Sequence, residues 1–339
     1  MTLHDSTNYH WVEEWDASRE RTTESLSGWA HPGMAVTENQ KIVTCDSGES
    51  RILVFSLDGD LEYSWVGDFT DAHGISVAKE GGEEIIWIAD NGSKRKAEHS
   101  YEYPPGADQK SGRVFKCRFG GEELLELPFP DHDAYRQSRY SPTSVAVDEI
   151  DCGGTGDVWV ADGYGASLVH RFSNDGTYIM TIDGTEGEGR FDCPHGIIID
   201  RRKPLAELYV ADRANSRIQV YNLAGEFVRS FGSQFLKTPS GFSVYRDLMV
   251  VAELDAKLTI LDMDDQLVKH LFMDEKAPNR SGWPNEEKGS ALGRPSDLRP
   301  GKFNSPHGMT IDTDGNIYVA EWLIGGRMTK LKNSQLSSY

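Results

Sequence analysis

Long apolar runs are missing from this 339-residue chain. None approaches the roughly eighteen residues that a membrane-spanning helix needs, so no such span is expected. The opening Met1-Thr2-Leu3-His4-Asp5 lacks the basic-then-apolar layout of a secretory signal, which points to a cytoplasmic protein. Cysteine is scarce as well. Cys45, Cys117, Cys152 and Cys193 follow no metal-type spacing and suggest no pairing, so reduced thiols are expected. Positive charge is in deficit: 35 Lys and Arg face 54 Asp and Glu, a net charge of −19. That balance argues against nucleic acid or an anionic membrane as partner and leaves a small-molecule or peptide-derived substrate. Lys94-Arg95-Lys96 is the only dense basic run, and it reads as a solvated loop.

What the chain has in place of these is a repeat. Six times an apolar run closes on a small residue and an acid: Cys45-Asp46, Ala89-Asp90, Ala161-Asp162, Ala211-Asp212, Ala252-Glu253 and Ala320-Glu321. Each is preceded by a short apolar segment opened by Pro or Gly and followed by an alternating one, such as Arg217-Ile218-Gln219-Val220-Tyr221. A Gly- or Asp-containing turn and a fourth short run complete the unit, which is the pattern of a four-stranded antiparallel meander. Six such units predict an all-β fold, a single six-bladed β-propeller filling residues 1–339. Blades are expected over 29–66, 72–128, 141–184, 193–232, 237–273 and 305–332. The last unit stops after its third strand. Residues 9–15 (Tyr-His-Trp-Val-Glu-Glu-Trp) are expected to supply the fourth and close the ring, the alternative being a frayed tail.

His73, His195 and His307 occupy one position, the start of the first strand, in every second unit. Pro32, Thr143 and Ser240 occupy it in the others. One such histidine would most often cap backbone. Three in strict alternation around a ring converge on its axis about 120° apart, the geometry of an open three-histidine metal site. Neutral imidazoles with a free fourth position suit Zn²⁺, with Fe²⁺ or Mn²⁺ as alternatives. The long connections 93–111, 128–140, 184–192 and 274–304 fall on this same rim, where loops carry function. His31, beside Pro32, is off register and could line the rim.

The residues that follow each second strand form the mouth: Ser47, Asn91, Tyr164, Arg213, Leu254 and Trp322. A phenol beside a divalent cation can act as a base, and a guanidinium can hold a carboxylate. Tyr164 and Arg213 are therefore candidate catalytic residues. The alternatives are a packed aromatic for Tyr164 and pairing with Asp212 or Glu226 for Arg213. The six repeated acids recur too regularly for catalysis and are expected to tie loops to strands.

The segments Ser-Pro-Thr-Ser-Val-Ala-Val-Asp (141–148), Trp-Val-Ala-Asp-Gly-Tyr (159–164), Cys-Pro-His-Gly (193–196) and Val-Ala-Asp-Arg-Ala-Asn-Ser-Arg-Ile-Gln (210–219) resemble NHL-repeat propellers. Within that group they resemble the peptidyl-α-hydroxyglycine α-amidating lyases, also called peptidylamidoglycolate lyases. The likeness implies zinc on His73, His195 and His307, a catalytic tyrosine at Tyr164 and an active-site arginine at Arg213. It also implies cleavage of an α-hydroxyglycine-type carbinolamide to an amide and glyoxylate. The departures are specific. Ser47 stands where the family has a second arginine, with Arg51 the nearby substitute. Ser305 replaces a methionine, and Gly308 replaces a calcium-ligating aspartate, which argues against a structural Ca²⁺. Arg51, Ser47, Asn91, Ser305 and Trp322 are the expected substrate-binding set. A metal-dependent hydrolase or lactonase on the same propeller, and a non-enzymatic NHL interaction module, remain as alternatives.

Overall fold

In blade one, Ile42, Leu53 and Phe55 face one way while Val43, Ile52 and Val54 face the other, and all are buried. Strands with two buried faces need a neighbour on each side, and a ring of stacked sheets provides one. The computed structural model, which describes residues 8–17, 19–97, 110–289 and 291–334, shows that ring. Six four-stranded antiparallel sheets run in sequence order. The first comprises Met34–Val36, Lys41–Cys45, Arg51–Ser56 and Leu61–Val66. The innermost strands of the other five are Ala72–Glu80, Ser144–Val147, Pro194–Asp200, Pro239–Tyr245 and Pro306–Ile311. Each blade interface holds its own apolar cluster. Val43, Ile52 and Val54 pack on Ile75, Ile86 and Ile88 of the second blade. On the other face Ile42, Leu53 and Phe55 meet Tyr318 and Ala320 of the sixth. Burial on this scale stabilises by about 1.5–3 kcal/mol per large side chain.

The ring closes as expected. Tyr9–Val12 pairs antiparallel with Arg327–Asn333, in register Trp11 to Leu331, as the outer strand of blade six. The strand itself ends at Val12, and residues 13–17 form a turn. Trp11 packs its ring 4.8 Å from Phe303 and 5.4 Å from Phe272. Beyond the strand, Trp15 lies 5.1 Å from Tyr318, and its indole N–H donates to the Leu57 carbonyl at 2.9 Å. The first and last strands of the described residues are thereby joined within one sheet, with Tyr9–Val12 as its outer edge.

The repeated acids do tie loops to strands. Asp90 accepts the backbone N–H groups of Thr70 and Asp71 at 2.8 and 2.9 Å. Asp212 accepts that of Asp192 at 2.8 Å, and Glu321 those of Asn304 and Ser305 at 2.6 and 3.0 Å. Each carboxylate grips the segment two or three residues before a histidine. In those same blades the pairing of first and second strands shifts register at the histidine, between Ala72 and Gly74, Pro194 and Ile197, and Pro306 and Gly308. A bulge re-aims the side chain it carries. Here it turns each imidazole towards the axis.

Candidate metal centre

The three histidines meet. His31, His73, His195 and His307 each offer a ring nitrogen, and these atoms all lie within 4.8 Å of one another. All four side chains are buried. His73 Nδ1 is 2.6 Å from the Thr143 carbonyl, His195 Nδ1 is 2.7 Å from that of Ser240, and His307 Nδ1 is 3.2 Å from that of Pro32. A carbonyl only accepts, so Nδ1 carries the hydrogen in each ring and Nε2 presents a lone pair to the axis.

The glycine after each histidine makes this possible. A Cβ at Gly74 would stand 2.7 Å from the Thr143 oxygen, at Gly196 2.4 Å from that of Ser240, and at Gly308 2.2 Å from that of Pro32. A side chain there would push away the carbonyl that orients the neighbouring ring. The His-Gly pair is thus one device, a ligand and the space for its hydrogen-bond partner.

Burial lowers the pKa of His73 and His195 well below the usual imidazole value, with His31 and Arg213 respectively adding to the effect. His307 is lowered to about 4, again mainly by burial. The rings are therefore neutral near pH 7, yet His73 Nε2 and His307 Nε2 face each other at 3.1 Å. Two lone pairs at that separation form a pocket of nitrogen donors suited to a cation. Nitrogens each about 2.0–2.1 Å from a tetrahedral ion would be about 3.3 Å apart, so the donor set fits a divalent metal such as Zn²⁺. The carbonyls on Nδ1 are the supporting contacts such sites use.

Tyr164 caps the cluster. Its hydroxyl is 3.0 Å from His195 Nε2, 3.3 Å from His73 Nε2 and 2.9 Å from His31 Nε2. Arg213 donates to that oxygen at 3.3 Å and to Cys193 Sγ at 3.1 Å, with its guanidinium 5.3 Å from the Tyr164 ring centre. Asp212, which could have paired with it, is taken by Arg217 at 2.7 Å. Trp322 stacks on His31 at 5.8 Å and on Trp29 at 5.5 Å, so it walls the mouth.

Other expectations fare differently. Arg51 pairs with Glu49 at 2.8 Å and donates to Ser64 at 3.2 Å, on the outer strands of blade one, so it does not stand in for a first-blade arginine at the centre. The Ser305 hydroxyl donates to the Trp322 carbonyl at 2.7 Å, and the Asn91 side-chain oxygen accepts from the Ser93 N–H at 2.8 Å. Both shape loops at the rim. Ser47 is buried beside Gly326. The basic run read as a solvated loop is only partly that. Lys96 is exposed, but the Lys94 ammonium donates to buried Asp71 at 3.0 Å, and Arg95 lies 5.8 Å from the Trp322 ring centre. Desolvation of Lys94 is offset by that carboxylate, an outcome a charge run cannot announce. His31, expected only as a residue that could line the rim, instead joins the centre. Its sequence signal is its place directly before Pro32, which shares the histidine position. Most of the connection 93–111 lies outside the described residues.

The fold and site together define a six-bladed propeller with a buried histidine centre capped by a tyrosine and an arginine. No family model matches the chain. It is 29% identical over 215 residues to human NHL repeat-containing protein 3, covering 60% of this chain and 56% of that one. It is 27% identical over 293 residues to peptidyl-alpha-hydroxyglycine alpha-amidating lyase 1 of Drosophila melanogaster, covering 80% of this chain and 47% of the lyase. The chain thus matches about half the length of these two relatives. Among solved structures, a streptogramin B lyase superposes with a TM-score of 0.58 at 16% identity, over 96% of this chain and 97% of that one, a likeness of fold. The protein resembles NHL-repeat propellers, amidating lyases among them, at modest identity.

Proposed function

We propose that the protein is a metal-dependent carbon–nitrogen lyase that resolves an α-hydroxyglycine-type carbinolamide into an amide and glyoxylate. The observation that carries this is the convergence of three neutral Nε2 lone pairs, a tyrosine hydroxyl and an arginine on one buried point. His73, His195 and His307 would hold the ion, with Zn²⁺ the best fit and Fe²⁺ or Mn²⁺ the alternatives. When bound, such an ion lowers the pKa of a nearby hydroxyl and steadies developing negative charge.

The chain's own groups supply the rest. Tyr164, as the phenolate that a neighbouring cation and Arg213 would favour, would take the proton of the substrate's α-hydroxyl and return it to the departing nitrogen. The electron pair left by that O–H bond becomes the second bond of the new C=O, the C–N bond breaks, and the amide nitrogen leaves with a proton. Arg213, which donates to the Tyr164 oxygen, would hold the carboxylate next to the reacting carbon. The buried mouth, walled by Trp322, keeps bulk water from these charges. A small-molecule or peptide-derived substrate suits the narrow centre and the acidic surface. The four free cysteines fit a reducing, cytoplasmic setting. Calcium-dependent lactonase chemistry would call for oxygen donors, whereas this centre offers nitrogen. The likeness to NHL repeat-containing protein 3 favours an interaction module as the second reading, but such a module has no use for buried facing imidazoles.

The test is metal analysis together with glyoxylate release from an N-acyl-α-hydroxyglycine. About one metal per chain is expected. Tyr164→Phe should lower kcat by about 10²–10⁴-fold with metal content unchanged. Full activity in Tyr164→Phe, or a wild type without metal or turnover, would refute the assignment.

A further inference from the structure

Three ion pairs show how this acidic chain treats a guanidinium withdrawn from water. Arg202 meets Asp200 at 2.9 Å, Arg217 meets Asp212 at 2.7 Å and Arg229 meets Glu207 at 2.7 Å. One cavity departs from that habit. It holds about 480 Å³ between the segment leading into blade one and the connection 274–304. Arg19, Arg21 and Arg294 line it with Asp16, Leu26 and Gly325, and Glu14 stands exposed at its edge. None of its lining residues belongs to the histidine centre.

Asp16 is already taken by Arg21, whose Nη2 donates to it at 2.7 Å. Arg19 is 6% exposed, and its Nε and Nη1 have no hydrogen-bond partner. Its ion-pair contact with Asp46 is long, at 3.7 Å, and Asp46 already accepts from the Ser25 hydroxyl and from the N–H groups of Gly48 and Glu49. Arg294 is more telling. Its Nη1 donates to the Ile324 carbonyl at 3.1 Å and to that of Gly326. Those two bonds use both Nη1 hydrogens and leave the edge formed by Nε and Nη2. Among the described residues no carboxylate lies within ion-pair distance of that edge. It is the fork with which a guanidinium takes an oxyanion through two parallel bonds. Burial first, and then the charge of Arg21, lowers the pKa of both Arg19 and Arg294, and the nearby acids offset only part of this. Cations held from water without a matching anion are costly.

We propose that this cavity binds a small oxyanion-bearing ligand, its phosphate or carboxylate group held by the Nε–Nη2 edge of Arg294 and by Arg21, with Arg19 adding charge behind them. The volume falls in the range of small-molecule pockets, about 300–1,000 Å³, so the oxyanion is one end of a larger molecule. The net charge of −19 opposes the approach of any anion from solution. Affinity therefore has to come from contacts inside the cavity.

The experiment follows the arginine Nε–H resonances in ¹H–¹⁵N spectra of the full chain. Inorganic phosphate is titrated in one arm and sodium acetate in the other, at constant ionic strength. The Arg294 resonance, assigned by its loss in Arg294→Gln, should move saturably, and the arm that saturates at lower concentration names the group. That anion should also raise the Tm of the wild type. In Arg294→Gln the Arg21 resonance should need about 10–100-fold more anion, and the rise in Tm should vanish. Arg294→Lys keeps the charge without the fork and carries the comparison even where Arg294→Gln does not fold; it should bind about tenfold more weakly than wild type. No saturable movement of Arg294 in either arm would overturn the site. So would an anion-induced rise in Tm as large in Arg294→Gln as in wild type, or wild-type affinity in Arg294→Lys. Glyoxylate release enters none of these readings, so they stand or fall apart from the lyase assignment.

Discussion

Even and odd blades of this ring do opposite things at one position of the same strand. In blades two, four and six the position holds an imidazole. In blades one, three and five it holds a backbone carbonyl, from Pro32, Thr143 and Ser240, that fixes the imidazole of the preceding blade around the ring. Ligand and support are therefore the same structural site in adjacent repeats, and six similar units become three two-blade pairs. The difference teaches why three ligands rather than six arise from a six-fold repeat. Odd-blade histidines would keep those backbone carbonyls but would crowd further imidazoles into a centre where four ring nitrogens already lie within 4.8 Å of one another.

The largest effect should come from removing an even-blade side chain. His195→Ala deletes one of three nitrogens and leaves His73 and His307 without the geometry a tetrahedral ion requires. Elemental analysis of the purified variant should find almost no metal, and glyoxylate release should fall below detection. Wild-type metal content in His195→Ala would break the contrast between even and odd blades, because the ions would then be held elsewhere.

A smaller effect should follow from disturbing the odd-blade partner alone. Gly196→Ala would place a Cβ 2.4 Å from the Ser240 carbonyl, which must move away from His195 Nδ1. The ligand remains, but its tautomer and orientation lose their support. Metal affinity should drop by about 10–100-fold, as for loss of other such supporting contacts, with a folded, metal-saturable protein. Competition with a chelator of known affinity reads this directly. An unchanged affinity would reduce the carbonyls to bystanders.

The same contrast explains what could be read in the chain and what could not. The even positions were legible because chemistry there resides in a side chain: three histidines at one repeat position announce themselves. The odd positions were not, since Pro32, Thr143 and Ser240 share nothing but a carbonyl. The propeller was legible from strand alternation and from the acids that close each second strand, whose regularity reflects a backbone-tying role. The closing strand was legible because blade six lacked a fourth run and residues 9–15 lacked a home. His31 was read only as a residue that could line the rim, since the repeat alignment assigned its blade's position to Pro32. Asp71 and Lys94 were missed for a related reason: they lie on a strand entrance and a basic run that look solvated until the ring folds them against His31. Arg51 looked near the centre by sequence distance, yet it sits at the start of a third strand, away from the axis.

The smallest effect sharpens the point about backbone. Ser240 supplies His195 with its carbonyl, while its hydroxyl merely donates to the Thr238 carbonyl at 3.0 Å. Ser240→Ala removes that hydroxyl bond and keeps the main chain. Denaturant unfolding should register a loss of about 0.5–1.5 kcal/mol, and metal affinity should stay at the wild-type value. Set beside Gly196→Ala, the pair separates side chain from carbonyl at one contact. Loss of affinity in Ser240→Ala would mean that the odd blades contribute through their side chains, and the varied residues Pro32, Thr143 and Ser240 would then need three explanations where a shared carbonyl needs one.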